Sequence, residues 1–140
     1  MSTALVWFRQ DLRLADNPAL RAAAASARHV VPVFVWSPGE EGAWAPGAAA
    51  RWWLHESLRS LDARLRERNS RLIITQGPTL DALLRIASET GATQVFWNRR
   101  YEPAAMAVER ALESRLATDG LLGLGRSEEH TSELQSLSSI

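Results

Sequence analysis

The chain of 140 residues predicts an α/β fold, and two features of the sequence support this. Short apolar runs of the strand type alternate along the chain with longer segments in which apolar residues recur at helical spacing. Regular alternation of this kind is typical of right-handed βαβ crossovers, which place successive strands parallel in one sheet. We therefore expect a doubly wound, Rossmann-like parallel sheet with helices on both faces.

The predicted strands are four short apolar segments rich in Val, Ile, Phe and Trp. Each spans between five and eight residues, a length that favours a strand over a helix. The longest is almost wholly apolar, as expected for a parallel strand covered on both faces, although Pro32 is poorly suited to a central strand. The four segments are residues 4–8, 29–36, 71–75 and 94–98.

The predicted helices are bounded by capping residues and have apolar stripes. Asp16 or Asn17 caps a helix that begins at Pro18, and Thr79 caps a helix that ends before Gly91. The helix at residues 51–68 has an apolar stripe formed by Leu54, Leu58, Leu61 and Leu65. The helix that begins at Pro103 has a stripe formed by Val108, Leu112 and Leu116.

The C-terminal segment differs in composition from the rest of the chain. Residues 126–140 contain no Ala and five Ser, and they lack the periodicity of a strand or a helix. Their first eleven residues, RSEEHTSELQS, resemble the translation of a widely used sequencing-library adapter. We therefore expect an α/β domain at residues 1–125 followed by a non-native tail at residues 126–140. Since residues 121–125 lead straight into this tail, we expect the domain to be incomplete and its sheet to lack its last strand or strands.

The composition excludes several functional classes. Basic and acidic residues balance at 16 each, so no overall positive charge attracts the chain to nucleic acid or to an acidic membrane. The absence of Cys excludes disulfides, thiolate catalysis and Cys-ligated metals. No apolar run approaches the roughly 18 residues of a membrane span, and no secretory signal is evident. We expect a cytoplasmic protein with no membrane partner.

The loops that follow the strands are the places where we expect function. In open parallel sheets, ligands bind at the carboxyl ends of the strands, near the point where the strand order reverses. The first loop contains neither a GxGxxG motif nor a P-loop, so the usual cradles for a dinucleotide or a triphosphate are absent from it. Its alternating charges at Arg9, Asp11, Arg13 and Asp16 leave two interpretations open: a solvated turn paired with itself, or salt bridges to a second domain.

The Trp and His residues are interpreted structurally. Trp7 and Trp97 lie within predicted strands, where core packing is expected, and at least one of Trp52 and Trp53 is expected to pack against the sheet. Spacing singles out no Ser, Asp or Cys as a partner for a His. We therefore predict no catalytic residue and no metal site in this chain.

Five segments of the chain form a combination far more specific than any one of them. They are WFRQDLRLADNPAL at residues 7–20, VVPVFVWSP at 30–38, RWWLHESLRSLDARL at 51–65, RLIITQGP at 71–78 and VFWNRRYEP at 95–103. In order and spacing, across about residues 3–117, they resemble the N-terminal α/β domain of the DNA photolyase/cryptochrome family.

The resemblance implies a larger protein with two parts. In this family an N-terminal α/β domain, often holding an antenna chromophore, is joined by a long linker to a helical domain that binds FAD and damaged DNA. Because the resemblance covers only the first part, FAD, DNA and the helical domain are expected as partners through the parent protein, and the fragment alone is expected to be inactive. The parent would split pyrimidine dimers in a light-dependent reaction of reduced FAD. The alternatives are a cryptochrome-type blue-light photoreceptor and a stand-alone, universal-stress-like nucleotide-binding domain.

The resemblance also implies a role for the charged first loop. In the family this loop lies toward the helical domain, so Arg9, Asp11, Arg13, Asp16 and Asn17 are expected to form part of the domain interface. Charged pairs that become buried between domains set orientation more than they add net stability.

An antenna chromophore would lie in a cleft between the loops that follow the second and fourth strands. Trp36, Arg51 and Glu102 are the residues expected to bind it. The chain has Ala at residues 104–105, where folate-binding members tend to have Asn-Glu, and Arg100 where deazaflavin-binding members tend to have an acidic residue. A folate-type antenna, a deazaflavin-type antenna and an empty cleft therefore all remain open.

Overall fold

The computed structural model describes residues 2–9, 12, 14, 16–37, 48–101 and 103–126. Within these ranges strands and helices alternate along the chain, as the sequence predicts. In chain order they are β1 (Thr3–Phe8), α1 (Pro18–Ser26), β2 (His29–Trp36), α2 (Ala48–Arg66), β3 (Ile73–Gln76), α3 (Thr79–Thr90), β4 (Gln94–Asn98), α4 (Pro103–Thr118) and β5 (Leu122–Arg126).

The strands form a single parallel sheet in the order β3-β2-β1-β4-β5. β1 lies at the centre, where Trp7 is aligned with Val33 of β2 on one side and with Trp97 of β4 on the other. After β3 the chain crosses back over the sheet to place β4 beside β1, so the strand order reverses between β1 and β4. This arrangement confirms the doubly wound, Rossmann-like fold, and its crevice lies at the carboxyl ends of β1 and β4.

Helices cover both faces of the sheet. On one face, Trp7 of β1 belongs to a core that includes Leu83 of α3 and Leu112 of α4. On the opposite face, Phe8 belongs to a core that includes Leu61 of α2 and residues of α1. Because successive residues of a strand point to opposite faces, a strand covered on both sides has to be apolar at every position. This requirement explains the unbroken apolar run in β1.

The helix ends are defined by local sequence. Asn17 caps α1, since its side-chain Oδ1 accepts a hydrogen bond of 3.1 Å from the backbone N–H of Leu20. The prediction that Thr79 caps α3 was wrong, because Pro78 occupies the cap position with an extended backbone and Thr79 is the first residue of the helix. An extended residue with φ near the value fixed by the proline ring suits that position. Gly91 ends α3 in the left-handed conformation, at φ 74°.

β5 is a strand that the sequence analysis did not predict. Its segment contains two glycines and no β-branched residue, so it lacks the composition that identifies strands. A Cβ atom at Gly123 would lie 3.0 Å from Leu116 Cδ1 and 3.1 Å from Trp97 Cη2, so glycine lets this strand approach the core closely. The strand also includes Arg126, which the sequence analysis assigns to the tail. The sheet therefore has a fifth strand in the segment where it was expected to stop.

Candidate functional site

Buried polar side chains gather where the strand order reverses. Arg9 directly follows β1 and Asn98 ends β4, and both are less than a tenth exposed. Asn17 at the start of α1 and Glu109 in the second turn of α4 are also buried. We call Arg9, Asn17, Asn98 and Glu109 the crevice cluster. Since burying polar groups is costly unless they are hydrogen-bonded, the partners of these side chains define what the cluster does.

Arg9 and Glu109 join β1 to α4 through a buried ion pair. Nη1 of Arg9 donates to Oε2 of Glu109, and only 2% and 6% of the two side chains are exposed. The same carboxylate oxygen accepts a hydrogen bond of 2.9 Å from the backbone N–H of Arg100, which follows β4. The guanidinium carbon of Arg9 lies 4.5 Å from the centre of the Trp7 ring, a cation–π contact. Glu109 thus ties the loops after β1 and β4 to one helix.

Glu109 is a site residue that the sequence analysis missed. The buried residues of α4 are Ala105, Glu109, Leu112 and Leu116, which recur at the spacing of a single helical stripe. A Glu within an otherwise apolar stripe is a signal of a buried, paired carboxylate, because Glu is almost never fully buried without a partner. The predicted stripe of Val108, Leu112 and Leu116 shares its two leucines with the buried residues of α4, but it did not include Glu109.

Two buried amides join the start of α1 to the end of β4. Nδ2 of Asn98 donates to Oδ1 of Asn17 at 2.8 Å, and Oδ1 of Asn98 accepts from the backbone N–H of Ala19 at 2.9 Å. The Asn17 oxygen also caps the helix, so one atom serves both the cap and the bridge. Asn98 was not singled out from the sequence, because its partners lie about eighty residues away and spacing cannot identify them.

The residues predicted at a domain interface have different positions. Arg9 and Asn17 are buried in the crevice cluster, where they hold the strand ends in place. Asp16 is exposed and has a left-handed backbone with φ 51°. Asp11 and Arg13 lie outside the described residues. The described ion pair of Arg9 joins this residue to Glu109 of α4. The interface role of these five residues stays a prediction.

The predicted antenna cleft is described only in part. Trp36 is half-buried at the carboxyl end of β2 and packs against the core shared with α1 and α2. Arg51 is exposed in the first turns of α2. Glu102 lies outside the described residues. A groove does exist elsewhere, lined by Val30, Ser70 and Arg71 among others, but it lies at the amino end of β2 and so does not coincide with the predicted cleft. The antenna assignment therefore also stays a prediction.

The expectation that Trp52 or Trp53 packs against the sheet was wrong. Their exposed fractions are 65% and 67%. The apolar stripe of α2 faces the sheet through residues such as Leu58 and Leu61. At about 100° of rotation per residue, positions 52 and 53 lie well away from this stripe, so neither ring can reach the sheet.

The crevice cluster has the chemistry of a scaffold. Its one carboxylate accepts from two donors, and the cluster contains no nucleophile paired with a base. Among the described residues, no group of three or more His, Asp and Glu side chains is placed to hold a metal ion. In the described ranges, no helix is both long enough and apolar enough to cross a membrane.

The fold and the crevice cluster define a doubly wound α/β domain whose carboxyl edge is held in place by buried polar bridges. The family model described as DNA photolyase matches residues 4–130 of the chain. The chain therefore belongs to the DNA photolyase family, and it corresponds to the N-terminal α/β domain of photolyases and cryptochromes.

Individual relatives agree with this assignment. The chain is 45% identical over 117 residues to deoxyribodipyrimidine photo-lyase of Agrobacterium fabrum (strain C58 / ATCC 33970), a match that covers 84% of the chain and 24% of the relative. It is 43% identical over 118 residues to Cryptochrome-1 of Sinapis alba, covering 84% of the chain and 23% of the relative. The chain thus spans about a quarter of the length of these relatives.

A solved structure shows the same domain. The crystal structure of a bacterial class III photolyase from Agrobacterium tumefaciens matches with a TM-score of 0.82 and 42% sequence identity. The match covers 90% of this chain and 26% of the photolyase chain. The strand order and the helix placement described above are therefore those of a photolyase N-terminal domain.

Proposed function

We propose that the intact protein is a light-dependent DNA photolyase in which this chain is the α/β domain. A helical domain beyond the chain would hold reduced FAD and bind the damaged DNA. Excited FAD would transfer an electron to a pyrimidine dimer flipped out of the duplex, and the electron would return to the flavin after the dimer splits. The single observation that supports this most is the 45% identity to a deoxyribodipyrimidine photo-lyase.

The geometry of the chain supports placing FAD elsewhere in the parent. The crevice at the strand reversal is where open α/β sheets bind their ligands. Here that crevice holds the chain's own side chains: Arg9 against Trp7, Glu109 between two donors, and the amide pair. Within the described residues, the role this supports is to hold the strand-end loops for contact with another domain.

A cryptochrome-type blue-light photoreceptor is the second candidate function. It is supported by the 43% identity to Cryptochrome-1 of Sinapis alba, which is close to the identity with the photolyase. The two candidates share a flavin and differ in whether the excited flavin repairs DNA.

A repair assay on the full-length protein separates the two candidates. The reduced, FAD-loaded protein is incubated with an oligonucleotide that contains a single cyclobutane pyrimidine dimer, under blue light and in the dark. A photolyase converts the dimer to monomers only in the light, as read by chromatography. The 140-residue chain is the matched control and is expected to repair nothing. Flavin that is bound and photoreducible, without dimer loss, would refute the photolyase proposal in favour of the photoreceptor.

We further propose the contact residues of this domain. Arg9, Asp11, Arg13, Asp16 and Asn17 would form its side of the interface with the helical domain, with the buried Arg9 and Asn17 as the scaffold of that side. The support is their position between β1 and α1.

Any antenna chromophore would bind in a cleft at Trp36, Arg51 and Glu102, where its class, folate or deazaflavin, is left open. The support for this site is the position of Trp36 at the carboxyl end of β2 and of Arg51 near the start of α2.

We also propose that residues 126–140 are not native to the domain, supported by their adapter-like sequence. The family match extends to residue 130 and β5 extends to Arg126, so the proposed boundary at residue 125 lies within a few residues of both. A cytoplasmic location is also proposed, in keeping with a parent that would act on DNA.

A further inference from the structure

Two adjacent tryptophans at the start of α2 are uncovered in this chain. About two thirds of Trp52 and of Trp53 is exposed, and together they leave roughly 300 Å² of mostly apolar surface open to solvent. Large aromatic side chains dominate the energetics of protein interfaces, and an exposed apolar patch of about 300–600 Å², the largest that a typical monomer has, is often functional. The exposed pair is therefore a candidate binding surface.

The position of the pair indicates which occupant is expected. α2 follows β2 and leads to β3, which lies beside β2 and runs parallel to it, so the first turns of α2 lie at the carboxyl edge of the sheet. This is the same edge as the crevice cluster. Tyr101, which follows β4 and is about half exposed, lies at this edge as well. The exposed aromatic side chains of the described residues thus lie at one edge of the sheet.

The length of the relatives supplies a partner for this edge. The matched segment is only 26% of the class III photolyase chain, so about three quarters of that chain lies outside it. The overall charge of the chain does not favour nucleic acid as the occupant, because basic and acidic residues balance at 16 each.

We propose that Trp52 and Trp53 are the apolar anchors by which this domain docks onto the helical part of its own parent chain. The inference rests on the two-domain parent of the proposed function and adds to it a specific contact on α2. It also explains why two rings that pack poorly against their own sheet occupy the start of the helix.

Hydroxyl-radical footprinting of the full-length protein, read by mass spectrometry, tests the contact directly. Trp97, which is fully buried here, is the internal reference for protection. We expect Trp52 and Trp53 to be oxidised no faster than Trp97. Oxidation at the rate of an unprotected tryptophan in a short peptide would overturn the proposal. Protection that appears only at high protein concentration, or only with DNA, would also overturn it and would assign the surface to a second copy or to nucleic acid.

A double variant measures the contribution of the pair to docking. Trp52→Ser combined with Trp53→Ser in the full-length protein should speed proteolytic cleavage between the two domains about tenfold or more, because interface aromatics are among the costliest residues to truncate. Ile74→Ser is the matched control, since Ile74 is an apolar residue of the edge strand β3 that is 55% exposed. Equal cleavage rates for the double variant and the wild type would overturn the proposal.

The repair assay keeps this inference separate from the proposed function. A protein that repairs dimers while both tryptophans are readily oxidised refutes the docking contact alone. A protein whose tryptophans are protected by its helical domain, but which repairs nothing, refutes the photolyase activity and supports the contact.

Discussion

The ion pair between Arg9 and Glu109 is expected to be the most sensitive point of the crevice cluster. Glu109→Ala would leave the buried Arg9 guanidinium without this carboxylate and would remove the acceptor of the Arg100 backbone N–H. Removing one partner of a buried pair costs about 3–5 kcal/mol, and the lost backbone hydrogen bond adds about 1 kcal/mol. Since domains of this size are stable by about 5–15 kcal/mol, the variant should lose a large part of its stability.

Urea unfolding followed by circular dichroism measures this loss, and two further variants control for its cause. Glu109→Gln keeps an acceptor oxygen and should cost less than Glu109→Ala. Arg9→Met combined with Glu109→Leu removes both charges and should also cost less, because a well-packed apolar pair often replaces a buried ion pair without loss. The reasoning is refuted if Glu109→Ala costs under about 1 kcal/mol, or if the double variant costs as much as the single one.

Three further predictions concern the rest of the fold. The pKa of Asp62 is lowered, first by the hydrogen bond from the backbone N–H of Leu72 and then by the Arg66 guanidinium. The ionised Asp62 carboxylate therefore stabilises the folded state above about pH 4, and this contribution is lost as the pH falls through the lowered pKa. The wild type should therefore unfold at a higher urea concentration than Asp62→Asn at neutral pH, and this difference should shrink as the pH is lowered. A difference that does not change with pH would contradict the prediction. Asn98→Ala should cost about 2–3 kcal/mol in urea unfolding, because two buried hydrogen bonds are lost, and a cost below about 0.5 kcal/mol would argue against the amide bridge. Gly123→Ala should cost about 1–2 kcal/mol by crowding the core, whereas Leu122→Ala at a half-exposed site should stay within about 0.5 kcal/mol, and equal effects would count against close packing of β5.

The parts of the fold that could be predicted depend on local signals. β1, β2 and β4 are apolar at most positions, so their burial on two faces is visible in the sequence. Asn17 before a proline and Gly91 after an apolar stripe are the cap residues that helix ends need, and both serve as caps. The alternation of these elements was enough to predict the parallel sheet.

The parts that could not be predicted depend on long-range contacts. β5 can lie close to Trp97 because Gly123 and Gly125 have no side chain to collide with its ring. The composition of the segment does not reveal this fit. The partners of Asn98 and Arg9 lie about eighty to one hundred positions away, so only the folded chain brings them together. The exposure of Trp52 follows from the phase of α2 relative to the sheet, which only the folded chain reveals.

Reading the gene from its source organism, from codon 118 onward, tests most directly the claim that this chain is the first domain of a longer flavoprotein. The account predicts that the frame continues past Gly125, without RSEEHTSELQS, into a segment that encodes a helical FAD-binding domain. A genomic sequence that encodes residues 126–140 as they stand and then stops would contradict the account. It would leave a free-standing α/β domain with an exposed tryptophan pair and no helical domain to cover it.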